Sequence, residues 1–315
     1  MSEPAGNAAP RYAAIDIGTN TLKLTIVERV SAHELHPILE AGVTTRIGEG
    51  IEGRLLGEEP MRRTLGALER CVAACAEHGV ERVFAVGTSA LRDAQNRDVF
   101  LRRALAIGLS VEVLSGDEEA RLSARSVRSD PLWREAEHII VVDIGGGSTE
   151  IVFASRDATE QVASVSLHQG VVRLTEAAVK SDPPTDAELE DAARRADAVL
   201  SNVAWPWPPE SATLVGVGGT ITNLAAVHAA SPATRCESIH GSTLTANEVE
   251  RQIRMYAGMT IEARKAIPGL DPSRADVIIA GAIILSRTMA TLGVSTVAVS
   301  CRGLRWGLLY DRLGI

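Results

Sequence analysis

The chain has few cysteines and no Cys-x-x-Cys pair. Four occur in 315 residues, at positions 71, 75, 236 and 301, with Cys71 and Cys75 one helical turn apart. That usage excludes a disulfide scaffold and a thiolate zinc site, and it predicts reduced, buried thiols in a reducing compartment. Residues 1–11 are small and polar and lack the apolar core of a secretory leader. The apolar run Val277–Leu285 is too short to cross a bilayer. The expected location is cytoplasmic, with no membrane partner. A net charge of −8 provides no basic field, so no nucleic acid is expected as a partner. A polyanionic ligand would need local Arg, Lys, metal and backbone N–H groups. Gly-x-Ser-x-Gly and Gly-x-x-x-x-Gly-Lys-Ser/Thr are both missing, which removes the serine-hydrolase and P-loop readings. The histidines are scattered without metal-ligand spacing; His168 and His240 lie near turns and read as structural or surface residues. There is no low-complexity tract and no heptad repeat.

What the chain does have is a long-period repeat. Residues 15–26 read Ile-Asp-Ile-Gly-Thr-Asn-Thr-Leu-Lys-Leu-Thr-Ile. Residues 142–153 read Val-Asp-Ile-Gly-Gly-Gly-Ser-Thr-Glu-Ile-Val-Phe, an offset of 127 positions. Each copy runs from an apolar strand through Asp-x-Gly and a small-residue turn to a second apolar strand. The echo predicts two similar lobes derived from one ancestral unit. Each turn offers backbone N–H groups without side chains in the way, which suits a phosphate oxygen. Each Asp sits at a strand end, where a carboxylate can hold a hydrated Mg²⁺. Two such turns facing each other would form a cleft for a phosphorylated ligand.

Around the repeat, strand and helix patterns alternate. Residues 12–28 form a predicted hairpin and Leu35–Ile47 a predicted strand pair. Helical periodicity over Met61–Glu77 and Asp98–Ala106 alternates with strands Arg82–Val86 and Ser110–Leu114, so the first lobe is α/β. Ser115 is a predicted N-cap ahead of an acidic first turn. The polar stretch 129–137, with Pro131, is the predicted lobe boundary. The second lobe starts with strand His138–Asp143. It continues with helix Val171–Val179, a capping box at Thr185–Glu188 and strand Leu214–Val217, then a helix from Ile221. Helix Asp276–Leu292, strand Thr296–Ser300 and helix Leu304–Leu313 close it, and Trp205-Pro-Trp-Pro-Pro reads as a rigid surface loop. The predicted division is a disordered N-terminus 1–11, lobe I over 12–128 and lobe II over 129–315. Packing of the last helix, 304–313, back on lobe I is left open.

The second repeat copy carries the strongest chemical signal. Gly145, Gly146 and Gly147 directly follow a strand that each of them would weaken, so they point to close approach by a ligand. Ser148 adds a hydroxyl, and Asp143 and Glu150 could bring two carboxylates near one cation. A tight hairpin with an Asp cap is the alternative. In the weaker first copy, Asp16 and Gly18 precede Thr19, Asn20 and Thr21, whose polar groups suit a phosphate. Gly216-Val-Gly-Gly-Thr220, including Gly218, would place a helix N-terminus at the cleft, where anions are favoured. Glu118-Glu119 is the candidate acid/base pair for in-line water attack on a phosphoanhydride. Adjacent helical residues point about 100° apart, so one of the two would face a given site. An acidic first turn that only complements the helix dipole is the competing reading. Arg46, Arg92, Arg274 and Arg305 sit by turns or helix starts, where a guanidinium fork suits phosphate; each could equally be a solvated or salt-bridged residue.

Taken together, these motifs resemble the exopolyphosphatase/guanosine pentaphosphatase (Ppx/GppA) family of the actin-like ATPase superfamily. The resemblance runs from Tyr12 to Leu309. It includes Asp16–Leu24, Thr88–Arg92, Ser115–Leu122, Asp143–Glu150, Gly216–Thr220 and Pro272–Ile278. It implies an α/β fold of two actin-like (ribonuclease H-like) lobes with an active-site cleft between them, and a homodimer. The implied activity is hydrolytic release of terminal orthophosphate from inorganic polyphosphate, or of the 5′ γ-phosphate from guanosine pentaphosphate. Mg²⁺ is the implied cofactor, with Mn²⁺ or a monovalent cation as further options. Glu119 falls on the family's general base and Asp143 and Glu150 on its metal-binding pair, with Asp16 a further metal candidate. The turns Gly18–Thr21 and Gly145–Ser148, with Arg92 and Gly218, are the expected phosphate-binding positions. Lys23 stands where the family has Arg, and Trp306 where it has Glu. The chain stops at Ile315, before the C-terminal helical domain of long members, so a short-form enzyme favouring short chains is expected. The alternatives are a guanosine pentaphosphate hydrolase, a non-catalytic polyphosphate or nucleotide sensor, and a sugar or acid kinase that would show ATP dependence.

Overall fold

The first repeat copy folds as a hairpin of β1 (Arg11–Ile17) and β2 (Thr21–Arg29). These coordinates are a computed structural model, which describes residues 9–51, 54–156, 163–203, 212–232 and 236–315. The first eight positions of the predicted N-terminal tail and the Trp205-Pro-Trp-Pro-Pro segment lie outside the described residues. β3 (Leu35–Thr44) extends the hairpin as one long strand rather than the predicted pair over 35–47. Its register with β2 runs from Thr21↔Thr44 to Arg29↔Leu35, and one shift at Ile26/Val27 absorbs the extra residue beside Pro37. Proline is tolerated there because β3 is an edge strand.

Helix α1 (Glu58–Glu77) crosses to β4 (Arg82–Gly87). Then come α2 (Ser89–Asp93), α3 (Arg97–Ala106), β5 (Val111–Val113) and α4 (Gly116–Arg128). The sheet order is β3-β2-β1-β4-β5, an antiparallel meander followed by parallel strands. The second copy begins with β6 (His138–Ile144), β7 (Thr149–Ser155) and β8 (Ala163–Leu167). It continues through α5 (Val171–Ala178), α6 (Asp186–Leu200), β9 (Thr213–Val217) and α7 (Gly218–His228). Next are α8 (Cys236–Ile239), β10 (Thr243–Thr245), α9 (Ala246–Ala257) and α10 (Ile261–Arg264). A 3₁₀ turn at Pro272–Arg274, α11 (Ile278–Leu292), β11 (Thr296–Val299) and α12 (Leu304–Leu313) complete the chain. The second sheet runs β10-β11-β9-β6-β7-β8. Read from the meander end, β8-β7-β6-β9-β11 matches β3-β2-β1-β4-β5 strand for strand. Both sheets are the ribonuclease H-like unit, and the two together make a two-lobe actin-like fold.

Local chemistry sets several element starts. Ser115 Oγ accepts from Glu118 N at 3.2 Å while Glu118 Oε2 accepts from Ser115 N at 2.8 Å, closing a capping box on α4. Thr185 and Glu188 make the same box on α6. Helix α7 starts at Gly218, three residues before the predicted Ile221, because Gly218 at φ +86° turns the strand directly into the helix. Residues 246–257 form α9, capped by Thr245, where the sequence reading places no element.

Two helices knit the lobes together. On one face of α4, Leu122 packs with Ala14, Val86, Leu304 and Leu308 on the first sheet. On the other, Ala120, Ala124 and Val127 pack with Val141, Val152 and Val215 of the second sheet. Helix α12 leaves the second sheet after β11 yet packs on the first, beside α4. A Cβ at Gly307 would overlap the Leu122 carbonyl, so glycine permits this close crossing. Residues 129–137 and 300–303 carry the chain between these layers. No helix among the described residues is long and apolar enough to cross a membrane.

Candidate active site

The two Asp-x-Gly turns meet across one cleft. Each is closed by a single backbone bond, Gly18 N to Thr21 O at 3.2 Å and Gly145 N to Ser148 O at 3.0 Å. In each, neighbouring amides hold the turn carbonyls. Gly48 N donates to Thr19 O and Arg46 N to Asn20 O; Val171 N donates to Gly145 O and Val172 N to Gly146 O. Trans peptide geometry then points the next N–H groups the opposite way. The Gly146 and Gly147 amides donate to no other described residue. A Cβ on Gly146 would sit 3.0 Å from Thr19 Cβ, and one on Gly147 would sit 2.5 Å from Ser89 Oγ. The glycine run is therefore what lets the second turn touch the first lobe. At Gly218 a Cβ would overlap an Asp143 carboxylate oxygen. Helix α7 has no side-chain cap at its start, so its first amides are open to the cleft.

Both predicted phosphate turns, Gly218, Asp16, Asp143 and Glu119 line one cleft of about 770 Å³. Arg92 and Glu150 do not line it. The acidic pair at the start of α4 divides: Glu118 turns back to cap the helix, and Glu119 is buried at the cleft. Arg92 Nη1 donates to Glu119 Oε2 at 3.0 Å and to Leu114 O at 3.0 Å, so it holds the carboxylate in place.

The charges around the two turns differ. Asp16 pairs in register with Lys23, and Asp143 with Glu150. Burial pushes Asp16 up to about 6, with Lys23 as the main opposing influence. Asp143 is raised by burial, with Lys23 and the Ser123 hydroxyl opposing. Glu150 is raised by burial first and then by Asp143. Glu119 is held well above the usual carboxylate range by burial first and then by Glu150, while Arg92 opposes. Ser166 Oγ donates to Glu150 Oε1 at 2.8 Å, but Glu150 Oε2 is buried with no partner. Asp16 Oδ1, Thr19 Oγ1 and both amide atoms of Asn20 are in the same state. Buried polar atoms are nearly always satisfied in folded proteins, so this cluster marks where a ligand, ion or water belongs. No three His, Cys, Asp or Glu side chains converge on one metal position among the described residues. The donor set is one or two carboxylates at a phosphate cradle, which is how Mg²⁺ is commonly held alongside substrate phosphates.

Along the cleft wall stand Lys23, Arg274 and Arg305, each lowered chiefly by burial. Arg274 Nη2 donates to Thr21 Oγ1 at 3.1 Å, and Gly219 leaves the space its guanidinium occupies. Arg305 Nη1 donates to Leu24 O at 2.6 Å. The Lys23 side chain, on a strand paired on both sides, makes no hydrogen bond or ion pair among the described residues. Arg46 instead bridges to Asp276 at 2.8 Å, and Thr44 Oγ1 meets Ser273 Oγ at 2.7 Å, joining the lobes at one end of the cleft. Trp306 is buried and donates Nε1 to Glu40 Oε1 at 3.1 Å. His240 Nε2 lies 3.2 Å from Asp130, and His168 is mostly exposed.

Several cleft-lining residues escape the sequence reading, among them Glu40, Asn223 and Asp271, and so does the place of Cys236 and Cys301 on the cleft wall. The expectation of buried thiols holds for Cys71 and Cys75 but not for the second pair, which is half-buried on the cleft wall. No local signal marks Cys236 and Cys301, because the sheet alone brings these distant positions together.

The fold and cleft define a two-lobe protein built to hold a phosphate compound between paired glycine turns. Residues 25–314 match the model of the Ppx/GppA phosphatase family. The chain is 37% identical over 309 residues to exopolyphosphatase 2 of Mycobacterium tuberculosis, covering 93% of this chain and 95% of that one. It is 30% identical to the guanosine-5′-triphosphate,3′-diphosphate pyrophosphatase of Photobacterium profundum, covering 97% of this chain and 60% of that one. The crystal structure of the Aquifex aeolicus Ppx/GppA member superimposes with a TM-score of 0.79 at 34% identity, covering 96% of this chain and 97% of that one. The chain belongs to the Ppx/GppA phosphatase family and is a hydrolase.

Proposed function

We propose that this protein is a Mg²⁺-dependent exopolyphosphatase that releases terminal orthophosphate from inorganic polyphosphate, favouring short chains. The observation that carries the reading is the set of unpartnered buried polar atoms on Asp16, Thr19 and Asn20 in the cleft that Glu119 lines, and on Glu150, whose charge acts on Glu119. The amides of the two turns and the start of α7 would hold the terminal phosphate oxygens and stabilise charge as it develops. Lys23, Arg274 and Arg305 would receive the next phosphates along the wall. Glu119 would take the proton of the attacking water. Burial raises its proton affinity, the direction that strengthens a base, and Arg92 keeps it aimed. Asp143 and Glu150, with Asp16 nearby, would hold the Mg²⁺, and the orphaned oxygens on Glu150 and Asp16 fit that role. Bound there, the ion would neutralise phosphate charge. The proposal extends to a homodimer in the cytoplasm.

The test is phosphate release with Mg²⁺ from short polyphosphate, long polyphosphate and guanosine pentaphosphate, with Glu119→Gln beside the parent. We expect release from short polyphosphate, cut about 10²–10⁴-fold in the variant with binding retained. Unchanged turnover in Glu119→Gln would sink the assignment of the base. Release from guanosine pentaphosphate alone would favour the second reading, which draws support from the Photobacterium profundum relative. Binding without release would indicate a sensor.

A further inference from the structure

Two thiols that this chemistry does not use meet at the cleft wall. Cys236 opens α8 and Cys301 follows β11; both are free, half-buried and part of the cleft lining. The sheet brings them together. Gly241 N donates to Val299 O at 2.8 Å, Cys301 N donates to His240 Nδ1 at 3.3 Å, and Cys301 Sγ approaches the Cys236 carbonyl at 3.8 Å. That carbonyl also accepts from His240 N at 2.8 Å, so backbone on both sides of the pair is pinned. The two thiols are near enough to shift each other's proton affinity.

Their surroundings are unequal. The neighbouring Cys301 thiol is the largest influence and lowers the Cys236 pKa; burial and Glu40 oppose it, and Arg305 and Lys23 add smaller lowering influences. Cys301 is pushed up by the Cys236 thiol first and then by burial. A thiol favoured as thiolate, open to solvent and next to a second thiol is the arrangement found in peroxide-sensitive pairs. Cys71 and Cys75 contrast with it. They are buried in α1 and raised by desolvation, Cys75 to about 11.

We propose that Cys236 and Cys301 are a peroxide-reactive pair whose disulfide arrests turnover in the adjoining cleft, a regulation that rests on the hydrolase reading above. The Cys236 thiolate attacks one oxygen of hydrogen peroxide, the O–O bond breaks, and sulfenic acid and water form once the leaving hydroxide takes a proton. The Cys301 sulfur, giving up its proton, then attacks the Cys236 sulfur. The S–S bond forms, the S–O bond breaks, and a second water leaves. The two sulfurs have lost two electrons to the peroxide. A dithiol reductant reverses the step by exchange. Cys301 lies in the 300–303 crossing that leads from the second sheet to α12 on the first. Tying it to α8 would fix that crossing and with it the relative motion of the lobes.

The test is hydrogen peroxide treatment of the reduced protein, with peptide mass mapping and phosphate release from short polyphosphate before treatment, after it, and after dithiothreitol. We expect a peptide linked through Cys236 and Cys301, with release falling by about tenfold or more and returning on reduction. Cys236→Ser and Cys301→Ser should each abolish the response, and Cys75→Ser should leave it intact. Mapping that finds no such link overturns the proposal, as does a link formed with no change in rate. A reduced protein that forms the link but releases no phosphate from any substrate supports the thiol pair and overturns the hydrolase reading instead.

Discussion

The hairpins at the heart of the two lobes share a backbone and differ in charge. Both close with the same Gly-to-carbonyl bond, and in both the turn carbonyls are held by amides from a following segment. Two residues past each turn the resemblance stops. In the first lobe Asp16 faces Lys23; at the equivalent cross-strand pair of the second, Asp143 faces Glu150. The first hairpin balances its own carboxylate. The second gathers negative charge that Glu119 increases, and no cationic side chain in direct register offsets it. A duplication that kept the amides for phosphate oxygens has therefore diverged where a cation is concerned: an ammonium belongs to one lobe, and the proposed Mg²⁺ would serve the other.

The largest effect should come from erasing that difference. Glu150→Lys copies the first-lobe pairing into the second. It should lower phosphate release by about 10²–10³-fold, the scale for losing one group that steadies transition-state charge. A Mg²⁺ titration of the variant should show little remaining dependence. Full activity with undiminished Mg²⁺ response would show that the acidic pair is not the seat of the ion.

A second expectation concerns stability without metal. Burial pushes Asp16 up to about 6 in the folded chain, against 3.8 for an aspartate in water. The folded state therefore holds its proton over a pH range in which the unfolded chain has lost it. The stability linked to that proton is fully present below pH 3.8 and is lost as pH rises through about 6. Removing the titration with Asp16→Asn should stabilise the metal-free protein by about 2–3 kcal/mol at pH 8 and by almost nothing at pH 4. Thermal unfolding at the two pH values reads this directly. An equal shift at both would attribute the gain to packing rather than ionisation.

Much of this arrangement is legible in the sequence because backbone demands restrict residue choice. Gly18 and Gly145, with the small residues after them, expose the duplicated turns, and a four-residue connection between the last cross-strand pairs forces the strands on either side into register. What is hidden depends on distant partners. Helix α9 escapes the apolar periodicity because Gln252 lies on its buried face, satisfied by Leu224 O at 2.9 Å and Tyr256 Oη at 2.7 Å. β3 reads as two strands because Gly42 resembles a break until its register with Lys23 is seen. Glu118 and Glu119 are equivalent by spacing, and the capping bond from Ser115 decides between them. The apolar face of α12 does not announce which sheet it meets, nor do Cys236 and Cys301 announce each other, since both outcomes follow from the placement of β11.

The smallest effect would separate the two turns by what their glycines face. A Cβ at Gly18 would lie 2.9 Å from Thr21 O, within its own hairpin. A Cβ at Gly147 would lie 2.5 Å from Ser89 Oγ and 2.8 Å from Thr19 Oγ1, both in the opposite lobe. Gly18→Ala should therefore strain its own hairpin and lower stability by about 1–2 kcal/mol, as overpacking does. Gly147→Ala should instead act as a wedge, holding the second turn away from the first and lowering kcat about tenfold, since misplacement of reacting groups by less than an ångström is enough for that. Its Tm should change less than that of Gly18→Ala, because the groups it meets are the tips of short side chains that can turn aside. Measuring kcat and Tm for both variants tests the distinction. If Gly147→Ala loses Tm as Gly18→Ala does while keeping kcat, contact between the turns serves the fold and not the chemistry.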